Sequence, residues 1–343
     1  MTSFLRSDCA RPLAIWLVLI AAVVVAMVVV GGITRLTGSG LSITEWRPIS
    51  GALPPLSLAE WQAEFARYRA IPQFRFINPT MTLDQFRFIY FWEWSHRLLA
   101  RVLGVAFLAP LIWFAARREI PRRLFGPLGG VVLLIALEPL VGWWMVASGL
   151  SERVYVAPER LTLHLGIAFA LLGALIWTAL EAWSGWARQT LPSRWGGLAL
   201  GLLGLTYLQV LLGALVAGNH AGLVYNDWPM FAGRLLPQDY AGAGVWATLA
   251  HSQGAVQLHH RLTAYLLLIA AIAMGVGAWR SRQLPAASKA LALGLAGMVT
   301  LQAMLGIVTL MAGVPLALGV AHQLTAALTL ALATTFAWRV RRG

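Results

Sequence analysis

Long apolar runs, separated by short polar segments, set the pattern of this chain. Each run is close to the roughly 20 residues that a helix needs to cross a bilayer. The predicted spans are 12–34, 89–115, 124–148, 161–183, 196–217, 252–278, 288–312 and 317–338. Because 59% of the 343 residues are hydrophobic and only 11% are charged, we predict an all-α integral membrane protein with eight transmembrane helices.

The charged residues fall unevenly on the two sides of these spans. Loops on the side of the termini hold 14 basic and three acidic residues, whereas the opposite loops hold nine basic and eight acidic residues. Because basic loops stay in the cytoplasm, we expect both termini there. Most of the net charge of +13 is therefore a topology signal, and we expect the lipid bilayer rather than a nucleic acid as the partner.

A second pattern lies in the long first outer loop, residues 37–87. Within residues 58–71, the aromatic residues Trp61, Phe65 and Tyr68 recur at the spacing of one helical face. This spacing predicts an amphipathic helix. Such a helix either lies on the outer membrane surface or packs against other loops, and the pattern does not distinguish the two.

The chain also contains an internal repeat. Segment 40–54 matches segment 222–237, since both place a Gly-Leu pair, an acidic residue, a Trp and a Pro in corresponding order. Further correspondences pair His96-Arg97-Leu98 with His260-Arg261-Leu262, and His164 with His322. Duplication of a four-helix unit explains them together. It predicts two pseudo-symmetric four-helix bundles, an N-terminal half at 1–186 and a C-terminal half at 187–343.

Four histidines lie at one depth in the predicted spans. They are His96, His164, His260 and His322, each within about 5–13 Å of the outer end of an even-numbered span. A single such histidine is more often a structural residue, but two per half form a pattern. Zinc or iron alone usually takes three or four protein ligands, whereas haem needs only two axial ones. We therefore predict one bis-histidine haem in each half.

Polar neighbours of these histidines distinguish the two halves. Glu93 stands three residues before His96, whereas the neutral Gln257 stands three before His260, which suggests that the first site moves protons or stabilises positive charge. Arg97 and Arg261, which follow the two histidines, could pair with haem propionates or anchor the helix ends by snorkelling. The other intramembrane acid, Glu138, is expected to hydrogen-bond across helices.

The remaining histidines and the single cysteine receive no ligand role. His259 precedes His260, and adjacent helical residues differ in direction by about 100°, so only one of the two can face a haem. His220 and His251 fall in loops or at the interface, and are expected at the surface. Cys9 is the only cysteine, which excludes an internal disulfide.

Several segments resemble the haem A synthase family. They include GGITRLTGSGLSITEWRPISGALPP, EWSHRLLAR, RLTLHLG, the His-Arg of QLHHRLTAY and the His-Gln of GVAHQLTAA. The resemblance implies an oxidoreductase that converts a methyl group of haem O to the formyl of haem A, with oxygen from water and electrons leaving through a bound haem b. It implies that His260 and His322 ligate the haem b iron, and that His96 and His164 flank the iron of the substrate haem with Glu93 as the essential acid.

The resemblance also implies partners and a location. A haem O synthase would supply the substrate, a terminal oxidase or its assembly factors would receive the product, and the chain would be a multi-pass protein of the cell (inner) membrane. Some members carry a cysteine pair in the first outer loop, which this chain lacks, and the Asn219-His220 pair is not expected of the family. The alternatives are a dihaem b-type electron-transfer cytochrome and, less well supported, a transporter built on repeats.

Overall fold

The computed structural model describes residues 10–184 and 193–342. These residues form α1 (Arg11–Leu36), α2 (Leu58–Arg69), α3 (Pro72–Phe76), α4 (Leu83–Ala116), α5 (Phe125–Ala147), α6 (Pro158–Ser184), α7 (Ser193–Gly218), α8 (Val245–Ala250), α9 (Gln253–Arg280), α10 (Ala286–Met311) and α11 (Leu316–Arg342). All except α2, α3 and α8 are long and apolar enough to cross a membrane. Within these ranges the eight predicted spans are thus confirmed. Cys9 and the predicted boundary between the halves lie outside the described residues.

The second span begins earlier than its apolar run. Helix α4 starts at Leu83 because Thr82 accepts a hydrogen bond from the backbone of Gln85 while the Gln85 side chain accepts one from Thr82. This reciprocal cap satisfies backbone groups that a helix start otherwise leaves unpaired. The predicted start at residue 89 missed the polar first turns, which extend the helix beyond the apolar run.

The long helices pack in two groups. In the N-terminal group α1 packs on α4 and α6, and α5 packs on α6; in the C-terminal group α7 packs on α9 and α11, and α10 packs on α9 and α11. The two groups contact each other where α1 and α6 pack on α11 and where α6 packs on α7. A separate apolar core lies in each group. The strict two-fold relation between the groups stays a prediction.

One helix–helix contact differs between the two groups. Helix α9 packs along α10, whereas α4 does not pack along α5. The close contact has a local cause, because a Cβ built on Gly275 of α9 would lie 3.2 Å from Cβ of Ala296 of α10. The residues at the corresponding places of the N-terminal repeat are Leu111 and Val132, which are larger than the Gly275 and Ala296 of the close contact.

Helix α2 packs on the outer end of α4. Its Tyr68 is fully buried, and the rings of Phe65 and Tyr68 lie 5.0 and 5.3 Å from that of Phe86. Trp61 meets Tyr90 edge to face at 5.0 Å. The predicted amphipathic helix is therefore present, and its apolar face contacts protein rather than lying free on the membrane surface.

Candidate functional site

A glycine on the preceding long helix faces each of the four histidines. The pairs are Gly31 with His96, Gly142 with His164, Gly213 with His260, and Gly306 with His322. A Cβ built on these glycines would lie 3.1, 3.2, 3.0 and 2.9 Å, respectively, from Cε1 of the imidazole. Such distances are shorter than ordinary carbon–carbon contacts. A side chain at any of these four positions would therefore press on the imidazole.

The two histidines of each group belong together. In the N-terminal group the imidazole of His164 is close enough to interact electrostatically with that of His96. In the C-terminal group His322 has the same relation to His260. The structure thus brings together the two pairs that the sequence predicts, one in each group of helices.

A polar residue stands one turn before three of the four glycines. Gln209, four residues before Gly213, places its Nε2 3.0 Å from Nδ1 of His260 and donates to the His260 carbonyl at 3.0 Å. Gln302, four residues before Gly306, donates to the His322 carbonyl at 3.0 Å. These side chains fix each histidine-bearing turn to its neighbouring helix.

In the N-terminal group the corresponding positions carry different side chains. Glu138, four residues before Gly142, places Oε2 2.6 Å from Nδ1 of His164. Glu138 therefore contacts the next helix as expected, but the predicted hydrogen bond is not formed at Nδ1 of His164. Met27, four residues before Gly31, is apolar, so His96 receives no polar partner from this position.

The histidines fit the axial positions of a haem. The Nδ1 atoms of His96, His164 and His322 are buried without a hydrogen-bond partner, and buried polar atoms are normally paired. In the described part of the chain no group of three or more His, Cys, Asp or Glu side chains is placed to hold a metal ion. Paired imidazoles therefore suit a metal that brings its own equatorial ligands, as an iron porphyrin does.

Glu93 ties the first outer loop to α4. Its Oε2 accepts hydrogen bonds from Ser42 Oγ and from the backbone N–H of Ile43, both at 2.7 Å, and its Oε1 accepts one from Arg97 Nη2 at 2.6 Å. The residue is only 3% exposed. The side chain accepts three hydrogen bonds and donates none, which is the pattern of an ionised carboxylate.

Arg97 completes this connection. Its Nη1 donates to the carbonyl of Glu45 at 3.0 Å, and its Nη2 donates to that of Ile43 at 2.7 Å. With 17% of its side chain exposed, Arg97 is largely buried and turned toward the loop. This geometry differs from snorkelling, in which the guanidinium reaches water.

The repeat places an equivalent connection in the second group. Gln257 donates to the carbonyls of Ala221 and Tyr225 at 3.0 and 3.1 Å and accepts from Arg261 at 3.2 Å. The corresponding positions are thus Glu93 with Arg97 and Gln257 with Arg261. In the first group the loop donates to a carboxylate, whereas in the second group an amide donates to the loop.

Arg261 itself is bound to the second outer loop. It donates to the carbonyls of Tyr225, Asp227, Pro229 and Met230, and its guanidinium lies 4.0 Å from the ring centre of Phe231. Its Nε is buried and has no hydrogen-bond partner. One donor of this arginine is therefore not used by the loop.

The three other histidines lie at the outer ends of the helices. His220 follows α7 with a left-handed φ of 52°, and its ring lies 4.1 Å from that of Tyr155. Burial, and secondarily the nearby Arg35, lowers the pKa of His220 to about 4. His251 is 3.8 Å from Glu159, and Nε2 of His259 is 3.1 Å from the Tyr240 hydroxyl. Neither His251 nor His259 joins the two histidine pairs.

Sequence patterns alone left the facing glycines unnoticed. A signal for them exists, because Glu138, Gln209 and Gln302 each precede the glycine by four residues, which is one helical turn. The loop carbonyls bound by Arg97 and Arg261 carry no such signal, since any residue type supplies a backbone carbonyl.

Fold and site together define an all-α, multi-pass membrane protein with two pairs of partly buried histidines inside its helix groups. Comparison with known proteins agrees with this class. Residues 14–334 match the family model COX15-CtaA, described as cytochrome oxidase assembly protein. The chain is 61% identical to the heme A synthase of Caulobacter sp. (strain K31) and 60% identical to that of Caulobacter vibrioides, over the whole of each chain.

A more distant relative matches along nearly the same length. The heme A synthase of Maricaulis maris is 45% identical over 97% of both chains. Since the family model and these relatives cover nearly the entire sequence, the chain belongs to the haem A synthase family of cytochrome oxidase assembly proteins. The resemblance predicted from the sequence motifs is thereby confirmed.

Proposed function

We propose that this protein converts haem O to haem A by oxidising one porphyrin methyl group to formyl, with electrons leaving through a bound haem b. The observation that carries the proposal is the presence of two histidine pairs, each histidine faced by a glycine. Close relatives named heme A synthase support the same reaction. When bound, the two iron porphyrins supply the redox chemistry, and the protein positions them.

The residues of the two groups receive different roles. His96 and His164 would hold the substrate haem in the N-terminal group, and His260 and His322 would hold haem b in the C-terminal group. Haem b would stay bound, whereas the substrate haem would be exchanged. Helix packing differs in the same sense, because α9 packs along α10 while α4 does not pack along α5. A site that must release its product needs such freedom.

Glu93 would be the acidic group of the reaction. It lies one turn before His96 and is buried, where a carboxylate interacts strongly with any positive charge nearby. Its bond to the Ser42 hydroxyl, which is itself buried, connects it to the outer loop. We infer that Glu93 stabilises positive charge or accepts a proton at the outer end of the substrate site.

Arg97 and Arg261 would contact the propionates only through donors that the loops leave unused. Most of their guanidinium donors bind loop carbonyls, whereas Nε of Arg261 is unpartnered. Their principal role would be to hold the outer loops over the two sites. A haem propionate would interact with the positive charge of the same guanidinium.

Cellular context follows from the proposed reaction. A haem O synthase would supply the substrate, and a terminal oxidase or its assembly factors would receive the product, as the family description of cytochrome oxidase assembly suggests. The eight membrane-crossing helices and the basic loops beside both termini support an inner membrane location with cytoplasmic termini.

Pigment extraction tests the reaction against a dihaem electron-transfer cytochrome. Cells lacking the gene should accumulate haem O and lack haem A if the protein is the synthase, and should still contain haem A if it only carries electrons. Complementation with Glu93→Ala should leave haem A absent while the purified variant retains haem b. Glu93→Gln is the matched control, because it keeps the size of the side chain and removes its charge. Normal haem A production by either variant would contradict a role of Glu93 in the reaction.

A further inference from the structure

The second intramembrane acid occupies a position with an exact internal counterpart. Glu138 of α5 precedes Gly142 by four residues, and Gln302 of α10 precedes Gly306 by four residues. In both helices the glycine faces a histidine of the following helix. The repeat therefore puts a carboxylate behind His164 where the C-terminal group has an amide behind His322.

The two side chains treat their histidines differently. Glu138 Oε2 lies 2.6 Å from Nδ1 of His164, which is within ion-pair distance. Gln302 instead donates its Nε2 to the backbone carbonyl of His322 at 3.0 Å, lies 3.4 Å from Nε2 of that ring, and leaves Nδ1 unpartnered. The carboxylate thus contacts Nδ1 of its imidazole, whereas the amide does not contact Nδ1.

Glu138 has few other polar contacts. Its second oxygen, Oε1, is buried and has no hydrogen-bond partner, and only 17% of the side chain is exposed. The N–O contact to His164 is short, yet Nδ1 makes no complete hydrogen bond. Hydrogen bonds of this kind are often poorly aligned until a site is loaded.

A carboxylate at Nδ1 changes what the opposite nitrogen can do. It holds the proton on Nδ1, so Nε2 keeps the lone pair that binds iron, and it raises the basicity of the ligand. A more basic ligand favours the oxidised iron and lowers the reduction potential of a haem. A neutral amide that makes no contact with Nδ1 does not hold a proton on that atom.

We propose that Glu138 is a positioning residue that orients His164 and lowers the reduction potential of the haem in the N-terminal group below that of the haem held by His260 and His322. This inference rests on the proposed function, in which electrons pass from the first haem to the second. With Glu138 in the first group and Gln302 in the second, the second haem has the higher reduction potential. Electron transfer from the first haem to the second is then favourable in free energy. Glu138 acts through His164 and does not itself touch the reacting atoms.

Reciprocal substitutions test the proposal in the purified full-length protein carrying haem O and haem b. Midpoint potentials are measured by optical redox titration, with the N-terminal signal assigned as the one lost in His164→Ala. Glu138→Gln should raise the potential of that haem and lower turnover by about 10- to 100-fold, the usual effect of losing such a partner. Gln302→Glu should lower the potential of haem b. Glu138→Asp, which keeps the carboxylate, should raise the potential of the N-terminal haem less than Glu138→Gln does.

Haem b content serves as the folding control, because the second site lies on other helices. The proposal is overturned if Glu138→Gln retains haem b but leaves the potential of the N-terminal haem unchanged. It is also overturned if Glu138→Gln and Gln302→Glu shift both potentials equally, since a local effect must stay in its own group. If the wild-type protein held no haem O and its deletion left haem A present, the proposed function would fail first, and this inference with it.

Discussion

Gly306 and His322 lie face to face across α10 and α11. A Cβ added to Gly306 would come within 2.9 Å of Cε1 of the imidazole, so the helix backbone itself forms the wall of the histidine site. The same relation recurs at the three other histidines. The absence of a side chain is therefore part of how each imidazole is placed.

Gly306→Val should greatly reduce the haem b content of the purified protein. The new side chain overpacks the space of the His322 ring at a cost of about 1–3 kcal/mol, which corresponds to roughly 5- to 150-fold weaker haem binding. Haem per protein is measured by the absorbance of the pyridine complex. Gly297→Val on the same helix is the matched control, because a Cβ there meets nothing within 4 Å. Equal haem contents in the two variants would contradict the assigned role of Gly306.

Arg261→Lys should loosen the second outer loop. A lysine cannot reproduce the fork that reaches the carbonyls of Tyr225, Asp227, Pro229 and Met230, and lost bonds to a charged donor cost about 1.5–3 kcal/mol each. Limited proteolysis should cut segment 222–244 faster than in the wild type. Arg153→Lys, at an exposed loop position, should leave the cleavage rate unchanged; a similar rate for both variants would argue against the connection.

His220 should make stability depend on pH below neutrality. Its pKa is lowered from 6.5 to about 4 in the folded protein, so between these values the unfolded chain binds more protons and stability falls as pH falls. Solvent screening of this half-buried ring reduces the contribution to about 1–3 kcal/mol. The midpoint of thermal unfolding in detergent, measured from pH 7 to pH 4, reports it.

The control for this pH effect uses two asparagine variants. His220→Asn keeps a residue that tolerates the left-handed backbone and should flatten the fall in unfolding midpoint with pH. His251→Asn removes another outer histidine and should keep the wild-type slope. A wild-type slope in His220→Asn would show that this group does not carry the effect.

Two glycines of α7 should respond in opposite ways to alanine. A Cβ at Gly218 would lie 2.8 Å from Cα of Pro158, so Gly218→Ala should destabilise the protein by about 1–3 kcal/mol through overpacking. At Gly201 nothing lies within 4 Å, and Gly201→Ala should be neutral or stabilise by up to about 1 kcal/mol through helix propensity. Thermal unfolding of both variants checks the sign, and destabilisation of equal size would refute the steric explanation.

The eight spans could be predicted from the sequence because bilayer thickness fixes their apolar length. The aromatic face of α2 was predictable for a similar reason, since periodicity reports which side is buried. Its neighbour was not, because periodicity does not say whether Tyr68 meets lipid or Phe86. The early start of α4 depended on a polar cap at Thr82, which an apolar window does not detect.

The grouping of the four histidines into two pairs was predictable, but their surroundings were less so. Histidines inside apolar runs are rare enough to be noticed, and the repeat paired them. Arg97 was expected at a propionate or the helix end, yet its guanidinium binds the carbonyls of Ile43 and Glu45. Loop carbonyls are positioned by tertiary structure alone, so no sequence pattern could identify them. His220 and its contact with Tyr155 belong to the same category.

The glycine–histidine pairs suggest a smaller building block than the half-molecule. Each pair joins an odd-numbered span to the next span: α1 to α4, α5 to α6, α7 to α9, and α10 to α11. Two consecutive spans thus carry both a histidine and the glycine that makes room for its ring. The chain is in this sense four variants of a single helix pair, with two such pairs in each group.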